Sequence, residues 1–371
     1  MKVSFACLVG AALNAGFALA SGRSWQPAKP ATAAVGKRSY VINTDRTEGD
    51  RMPWPNRKIR YCYENDEAQD ALETILRAGL DIWRNVGLGS EFTMVQIDRD
   101  ECREKRWDTL MIYWSGDNGG MATFAGLPRE DSPYRDTKNP EARARMILTT
   151  STSMGMLDQQ KNFAHEIGHA WGLYHEHQNP AFWSKPSIVN GRGGTVFGPE
   201  NDGNWRCENL KDYEVKVHRG LIVQNPGKPA GDRVTGDLLC KDQVYASNSD
   251  FSAGDYLPMP KDVGSADTEG MDGESVDWGS IMIYPSGAGG RGEASPGNDQ
   301  RLPILLDHNG DPIKISEGPT QRDIAAMHKL YGRSKSAVTK DLLQKAGGKV
   351  TEGFKKIYPK SQGNSGGSAC L

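Results

Sequence analysis

The most constraining feature of this chain is a short stretch, residues 165–175, in which three histidines and a glutamate occur at fixed spacing as HEIGHAWGLYH. On an α-helix, residues four positions apart lie on one face, so His165 and His169 can direct their imidazoles at one point. Gly172 can adopt a left-handed backbone conformation at low cost, which ends the helix sharply and lets His175 return to that point. Three neutral imidazoles leave one tetrahedral position of a zinc ion open. The spacing therefore predicts one Zn²⁺ ion bound by His165, His169 and His175.

Glu166 follows the first of these histidines and lies beside the predicted metal without ligating it. A carboxylate in that position can accept a proton from water, which metal-assisted hydrolysis requires and zinc binding alone does not. The alternative is a catalytically silent binding module that keeps zinc for stability, since a fold does not guarantee a function. Because three protein ligands complete a catalytic zinc site, His177, His218 and His328 are expected at the surface or around the ligands.

Two further blocks accompany the histidine motif. Glu176 follows the third histidine directly, and the run SIMIY occupies residues 280–284. With residues 165–176, these blocks resemble the astacin family of metzincin zinc peptidases, whose Met-turn reads S-x-M-H-Y. Residues 319–332 are similar to the closing helix of astacin catalytic domains. The departures are Ile283, where that family usually has histidine, and a longer segment between the two blocks, and they leave substrate preference open.

The resemblance implies a fold and two further roles. The implied fold is an α+β, two-lobed metzincin-type catalytic domain with a twisted, mostly parallel sheet, an antiparallel edge strand, an active-site helix, a Met-turn and a C-terminal helix. Met282 would form an apolar floor below the zinc ligands. Tyr284 would be a fifth ligand that moves toward the oxyanion during turnover, and a phenol can both ligate weakly and donate a hydrogen bond. Ordinary core packing is the alternative for both residues.

The predicted substrate surface is the run GGMATFAG at residues 119–126, which resembles the metzincin edge strand. An unpaired strand edge can accept an extended peptide as an added strand. We therefore expect a polypeptide substrate along residues 119–126 and a zinc endopeptidase activity in which Glu166 assists the attack of water on the peptide bond. An exopeptidase remains a further alternative, which a blocked cleft end would favour.

The N-terminal region predicts a secreted, extracellular protein made as a zymogen. Residues 1–20 combine an early lysine, an apolar stretch and a small-x-small cleavage pattern, as in a secretory signal peptide. Residues 21–50 lack apolar periodicity and predict a pro-segment. A processing cut is expected after the dibasic pair Lys37-Arg38, with a chance basic pair as the alternative. Asp50, in a partial match to the astacin pro-segment motif, is a candidate for the aspartate that caps zinc in the zymogen.

The peptidase domain is predicted over residues 51–335, with a loop-rich insertion at about 186–275 and a flexible Lys/Gly/Ser-rich tail at 336–371. The spacing of apolar residues predicts a long helix from Asp66, its N-cap, to about Asn85. The same criterion predicts strands at 58–63, 92–97, 109–114 and 146–150.

Local capping and turn signals complete the predicted elements. Asp158 is the expected N-cap of the motif helix. Thr320 and Asp323 resemble a capping arrangement for the last helix. Residues 301–316 are expected to form a hairpin, because two apolar runs flank a turn that contains Asn-Gly.

Charge and cysteines set the remaining bounds. The net charge is −2, so we expect no nucleic-acid partner, and no apolar run beyond the N-terminus is long enough to cross a membrane. We expect a monomer without a membrane partner.

Secretion favours disulfides, and four domain cysteines allow three pairings. We choose Cys62–Cys102, which brackets the N-terminal lobe, and Cys207–Cys240, which closes the insertion, and Cys370 is the odd cysteine.

Overall fold

The structure is a computed structural model, and it describes residues 40–44, 51–130, 143–184, 187–189, 192–194, 196–197, 204–219, 236–259, 264–265 and 275–332. The predicted signal peptide, the dibasic pair, Asp50, the tail and Cys370 lie outside these ranges. Within them, no helix is long and apolar enough to span a membrane.

The described elements include thirteen short strands and seven α-helices. The strands are β1 (Val41–Ile42), β2 (Arg51–Met52), β3 (Lys58–Tyr63), β4 (Thr93–Gln96), β5 (Leu110–Trp114), β6 (Ala122–Thr123), β7 (Leu127–Pro128), β8 (Arg145–Leu148), β9 (Ser187–Val189), β10 (Arg192–Gly194), β11 (Gly264–Ser265), β12 (Ala294–Ser295) and β13 (Asn298–Asp299). The helices are α1 (Asp66–Asn85), α2 (Arg99–Glu104), α3 (Gln159–Ala170), α4 (Ala181–Ser184), α5 (Gly236–Leu239), α6 (Gln243–Asn248) and α7 (Gln321–Tyr331).

Five strands form the main sheet, in the spatial order β4-β3-β5-β8-β6. β3 runs parallel to β4 and β5, β5 runs parallel to β8, and β6 at the edge runs antiparallel to β8. This topology confirms the predicted mostly parallel sheet with an antiparallel edge strand. The four strands predicted at 58–63, 92–97, 109–114 and 146–150 all occur, and their ends differ from the prediction by two residues at most.

Side chains on β3 alternate between the two faces of the sheet, as the backbone pleat requires. Ile59, Tyr61 and Tyr63 belong to the first hydrophobic core, which the sheet shares with α1 and α3. Cys62 belongs to a separate small cluster, where a disulfide joins it to Cys102 on α2. The predicted pairing of these two cysteines is therefore confirmed.

The N-cap of α1 is Asn65, so the predicted cap, Asp66, is displaced by one residue. Asn65 has an extended backbone, and its side chain accepts a hydrogen bond from Ala68 N at 2.7 Å. That geometry satisfies one of the amide groups that the first helical turn leaves without a partner. Asp66 is instead the first helical residue, where a negative charge favours the positive end of the helix dipole.

Helices α1 and α3 pack closely, and this contact sets the position of the histidine motif. A Cβ atom added at Gly79 of α1 would lie 3.0 Å from Phe163 Cβ, so a larger residue would push the two helices apart. Trp83 is fully buried and donates a hydrogen bond from Nε1 to Ala164 O at 2.7 Å. Apolar contact and one specific hydrogen bond therefore fix α3 against α1.

A second hydrophobic core combines the described parts of the insertion with residues on both sides of it in the sequence. Its buried members include Phe182, Phe197, Leu239, Phe251, Tyr256, Leu257, Ile283, Ile304 and Leu305. The predicted disulfide between Cys207 and Cys240 is confirmed and ties two stretches of this region together. The insertion was predicted to be rich in loops, and its described parts also contain the short helices α5 and α6.

The hairpin predicted at residues 301–316 is wrong, because its two arms do not form paired strands in the described structure. Its two arms meet at one isolated bridge and form no ladder in the described structure. The backbone donors of the arms are used elsewhere: Ile304 N bonds to Ser286 O at 2.7 Å, and Ile313 N bonds to Ser286 Oγ at 2.7 Å. Pairing with a third segment therefore replaces pairing between the two arms.

Asp323, in the first turn of α7, ties the last helix to the Met-turn, residues 280–284. Its Oδ1 accepts a hydrogen bond from Ser280 Oγ at 2.6 Å, and its Oδ2 accepts from Ile281 N at 3.2 Å and Thr320 N at 2.8 Å. Thr320 Oγ1 accepts from Asp323 N in return, which confirms the predicted capping arrangement. Burial raises the pKa of Asp323 to about 6. The folded state thus binds this proton more tightly than the unfolded chain, and the group's contribution to stability falls as pH rises from about 4 to about 6.

We predict that Asp323→Ala lowers the free energy of unfolding by about 2–4 kcal/mol, because three donors lose their acceptor in the interior. Urea denaturation at pH 7 measures the change. Glu317→Ala is the control, since the Glu317 carboxylate is exposed and forms a surface ion pair with Lys161, and its loss should barely change stability. Equal stability of the two variants would show that Asp323 does not anchor the Met-turn.

Candidate functional site

The three histidines of the motif meet at one point. His165 Nε2 lies 3.1 Å from His169 Nε2 and 3.1 Å from His175 Nε2, and the latter two atoms are 3.0 Å apart. They form a group of potential metal ligands, and no second group of three such residues occurs in the described part of the chain. The structure therefore brings together all three predicted zinc ligands.

The opposite nitrogen of each ring faces an oxygen atom. The pairs are His165 Nδ1 with Ile281 O at 2.6 Å, His169 Nδ1 with Leu173 O at 2.8 Å, and His175 Nδ1 with Gln178 Oε1 at 2.7 Å. Because carbonyl oxygens only accept hydrogen bonds, each Nδ1 carries the proton and each Nε2 presents a lone pair. Three lone pairs that point together repel one another unless a cation lies among them. This donor set fits a zinc ion with an open coordination position.

Burial keeps the three rings neutral. Desolvation lowers the pKa of His165 to about 4 and the pKa of His169 to about 3, and it lowers the pKa of His175 well below its ordinary value. The neighbouring imidazoles lower the pKa of His169 and His175 further. Neutral imidazole is the form that binds a metal, so the site requires no proton release from these rings near pH 7.

The turn after α3 has the conformation that the sequence predicts. Asp158 caps the helix by accepting a hydrogen bond from Lys161 N at 3.0 Å. Gly172 has φ +101°, and a Cβ atom there would lie 2.9 Å from Leu330 Cδ2, so both conformation and space require glycine. The chain turns at this residue and carries His175 back to the other two ligands.

The N-terminal segment 40–44 packs against the same turn. It is the described part of the predicted pro-segment 21–50, and Tyr40 and Ile42 are fully buried. Ile42 N donates to Gly172 O at 2.9 Å, and Tyr174 N donates to Tyr40 O at 2.9 Å. These residues therefore form part of the packed structure around the ligand turn.

Glu166 lies in the interior next to the ligands, and its Oε2 atom has no hydrogen-bond partner among the described residues. Desolvation raises the pKa of Glu166 to about 7, and the hydroxyl of Thr123 on β6 partly opposes the rise. A buried carboxylate with this pKa can both take up and release a proton near neutral pH.

The Met-turn contacts the motif from below. A Cβ atom added at Gly168 would lie 2.4 Å from Met282 Sδ, so the methionine fills the space under α3 that this glycine leaves open. Met282 is buried, and its carbonyl accepts a hydrogen bond from Glu176 N at 2.9 Å. The position of Met282 agrees with the implied apolar floor. Ile283, the departure from the astacin pattern, is fully buried in the second core, where an apolar side chain suits the site.

Tyr284 lies beside the ligands. Its ring centroid is 4.3 Å from that of His175 and 5.6 Å from that of His165. Burial raises the pKa of Tyr284 well above its ordinary value, and nearby Asp255 adds to the rise. The phenol therefore stays protonated and can donate a hydrogen bond, as its implied role requires.

Two residues, His177 and Gln178, contact the third ligand more closely than the sequence indicated. His177 was expected at the surface or around the ligands, and the surface alternative is wrong, because the side chain is completely buried and stacks on the His175 ring at 5.0 Å. Gln178, which accepts the His175 Nδ1 proton, was not predicted. No periodicity marks a glutamine that lies three residues after a ligand as its hydrogen-bond partner.

The edge strand is shorter than predicted. Of residues 119–126, only Ala122 and Thr123 form a strand, β6, which pairs with Ile147 and Met146 of β8. Phe124 N extends the contact by one hydrogen bond to Arg145 O at 3.1 Å. The glycines on both sides of this run explain its short length, since glycine weakens a strand.

Comparisons with known proteins do not assign this chain to a family. No protein-family model matches the sequence, and no curated protein matches it. Among solved structures, the chain is similar to high choriolytic enzyme 1, a hatching enzyme zinc-protease from the medaka fish Oryzias latipes, at 15% identity over 78% of this chain and 98% of the other, with a TM-score of 0.38. It is also similar to myroilysin, at 13% identity over 79% and 95% of the two chains, with a TM-score of 0.36. Such distant likeness assigns no activity, so the functional argument rests on the site itself.

We predict that His169→Ala lowers zinc affinity by at least about 100-fold, because one of three ligands is lost from a site with a single ion. Competition against a chromogenic chelator measures the affinity. His308→Ala is the control, since His308 lies in a loop outside the group of ligands. The metal assignment fails if both variants bind zinc as tightly as the unaltered protein.

Proposed function

We propose that this chain is a secreted zinc-dependent endopeptidase. The observation that carries the proposal is the pairing of three converging imidazole lone pairs with the buried carboxylate of Glu166, one residue along the same helix. Its Oε2 atom has no hydrogen-bond partner among the described residues. A structural zinc site is closed by four protein ligands, whereas the described residues offer three here and leave a position for water or substrate. The carboxylate has no use in a site that only stabilises the fold.

The chain's own residues supply proton transfer and charge stabilisation. A zinc ion bound by the three histidines supplies Lewis-acid chemistry, since it polarises a carbonyl and lowers the pKa of water. Glu166 takes the proton of the attacking water on its free Oε2 and later delivers it to the nitrogen of the leaving amine. A pKa of about 7 suits both transfers. Tyr284 donates a hydrogen bond to the oxyanion that develops on the scissile carbonyl.

The substrate binds along the outer edge of β6 as an added strand. The main sheet ends at β6, and no other described strand pairs with that edge. Thr123 of β6 lies beside Glu166, so a peptide on this edge would pass close to the proposed base. Main-chain hydrogen bonds at a strand edge recognise an extended polypeptide whatever its side chains are. The short edge suits a few substrate residues near the scissile bond.

Secretion is supported by two observations. The sequence begins with the pattern of a signal peptide. Two disulfides lie in the described region, and such bonds persist mainly in oxidising compartments. We propose that the protein acts as a monomer outside the cell, and that a cut after Arg38 removes the first part of the pro-segment before it acts. Such a cut leaves residues 40–44 in their packed position beside the ligand turn.

We predict that Glu166→Gln keeps zinc and loses hydrolysis of a peptide substrate by about 100-fold or more. The amide cannot accept a proton from water, whereas the three histidines remain unchanged. Metal content and cleavage of a peptide library are measured on the same preparation, with the chelated and zinc-restored wild type as controls. Activity near that of wild type would remove Glu166 from the mechanism, and a wild type without activity would favour the silent binding module.

We predict that Tyr284→Phe lowers kcat by about 100-fold or more and leaves KM nearly unchanged, because the lost hydrogen bond forms mainly in the transition state. The control is Tyr245→Phe. Tyr245 lies on α6, outside the group of ligands, and its side chain is exposed. Steady-state kinetics on one peptide should separate the two variants, and equal kcat values would leave Tyr284 as a packing residue only.

A further inference from the structure

The third ligand is oriented differently from the other two. His165 and His169 bond through Nδ1 to backbone carbonyls, of Ile281 and Leu173. His175 bonds through Nδ1 to a side chain, the Oε1 atom of Gln178. A backbone carbonyl has a fixed position and can only accept, whereas a glutamine amide can rotate and present its donor end. The orientation of His175 therefore depends on what holds the Gln178 amide.

The Gln178 amide is held by the insertion. Its Nε2 atom donates to Gly254 O at 3.1 Å and to Leu257 O at 3.1 Å, which uses both amide hydrogens. With Nε2 fixed on two carbonyls, only Oε1 can face His175. Met259 N also donates to the Gln178 backbone carbonyl at 3.0 Å. We call residues 254–259 the brace.

The brace also holds the ring that lies against the third ligand. His177 Nε2 lies 3.0 Å from Asp255 O, so Nε2 carries the proton and Nδ1 is an acceptor. Its ring stacks on His175, with planes 14° apart, and its Nδ1 lies 3.5 Å from Tyr284 N. His175 is thus supported at its edge by Gln178 and on its face by His177, and both supports end on the brace.

These contacts are shielded from water. Gln178, His177 and Leu257 are all buried. In such surroundings a hydrogen bond is strengthened, and the loss of one partner leaves a costly unsatisfied group. The brace is itself anchored from a distance, because Ser252, at the start of the 3-10 turn that leads into it, donates to the Asp212 carboxylate from its backbone N at 2.9 Å and from its hydroxyl.

We propose that the insertion positions the third metal ligand, with Gln178 as the positioning residue that fixes the tautomer and direction of His175. The inference rests on the proposed zinc site and deepens it. Two carbonyl oxygens of the brace accept hydrogen bonds from Gln178, and Gln178 in turn accepts one from His175. Gln178 touches neither metal nor substrate and acts through the ligand.

The test uses the full processed protein and two readouts that do not depend on activity. Zinc affinity is measured by competition with a chromogenic chelator, and ligand geometry by the visible absorption spectrum of the Co²⁺-substituted protein. Gln178→Leu removes the acceptor and should weaken zinc binding by about 10–100-fold and change the Co²⁺ spectrum.

A second pair of variants tests the insertion without touching the site. Asp212→Ala removes the anchor of the brace and should weaken zinc binding several-fold. Asp242→Ala is the matched control, since Asp242 lies in the same insertion and also accepts two hydrogen bonds, from Val244 N and Tyr245 N, but caps α6. It should bind zinc like the wild type. This pair keeps the inference testable if Gln178→Leu fails to fold.

The outcomes separate the two proposals. A folded Gln178→Leu variant with wild-type affinity and spectrum overturns the positioning role, while the zinc peptidase proposal stands. If the Asp212 and Asp242 variants bind zinc with equal affinity, the role proposed for the insertion is overturned. A wild type that binds no zinc overturns the proposed function, and this inference falls with it.

Discussion

The geometry of the site depends on three hydrogen bonds that the Nδ1 atoms of the histidines donate to oxygen atoms. Each bond turns an Nε2 lone pair toward the same point, and burial keeps each ring neutral. The rings alone would repel one another there, so the surrounding packing must hold them until a cation binds. Three neighbouring elements hold the rings in position. Helix α1 fixes α3, Gly172 turns the chain, and the Met-turn supplies the carbonyl of Ile281.

The Met-turn passes from one hydrophobic core to the other. Ile281 and Met282 belong to the first core, whereas Ile283 belongs to the second and Tyr284 packs against it. This run of four residues therefore contacts the ligands while it joins the two packed regions. It also gives a physical reason for Ile283, because a polar residue would need a partner inside an apolar core. Asp323 holds the start of the turn through Ser280 and Ile281.

The same low-polarity surroundings act in opposite directions on acids and bases. Burial lowers the pKa of the histidines and raises the pKa of Glu166, Asp323 and Tyr284. Neutral imidazoles suit metal binding, a carboxylate that titrates near pH 7 suits proton transfer, and a protonated phenol suits hydrogen-bond donation. One physical cause, desolvation, thus prepares three chemical types for the roles proposed here.

Local spacing by itself determined the central group of this protein. The i, i+4 period of an α-helix and the backbone freedom of Gly172 are properties of a few adjacent residues, so the convergence of His165, His169 and His175 followed from the sequence. The four strands predicted from apolar spacing followed in the same way, whereas the sequence allowed three disulfide pairings and the structure confirmed the one that was chosen. Only the tertiary structure decided the rest. Residues far apart compete for the same backbone donors, so Ile304 and Ile313 of the 301–316 arms bond to Ser286, and the arms themselves meet at one isolated bridge in the described structure. Gln178 gained its place because the insertion folds back over it, and no local pattern records a contact between residues that lie 76 and 79 positions apart.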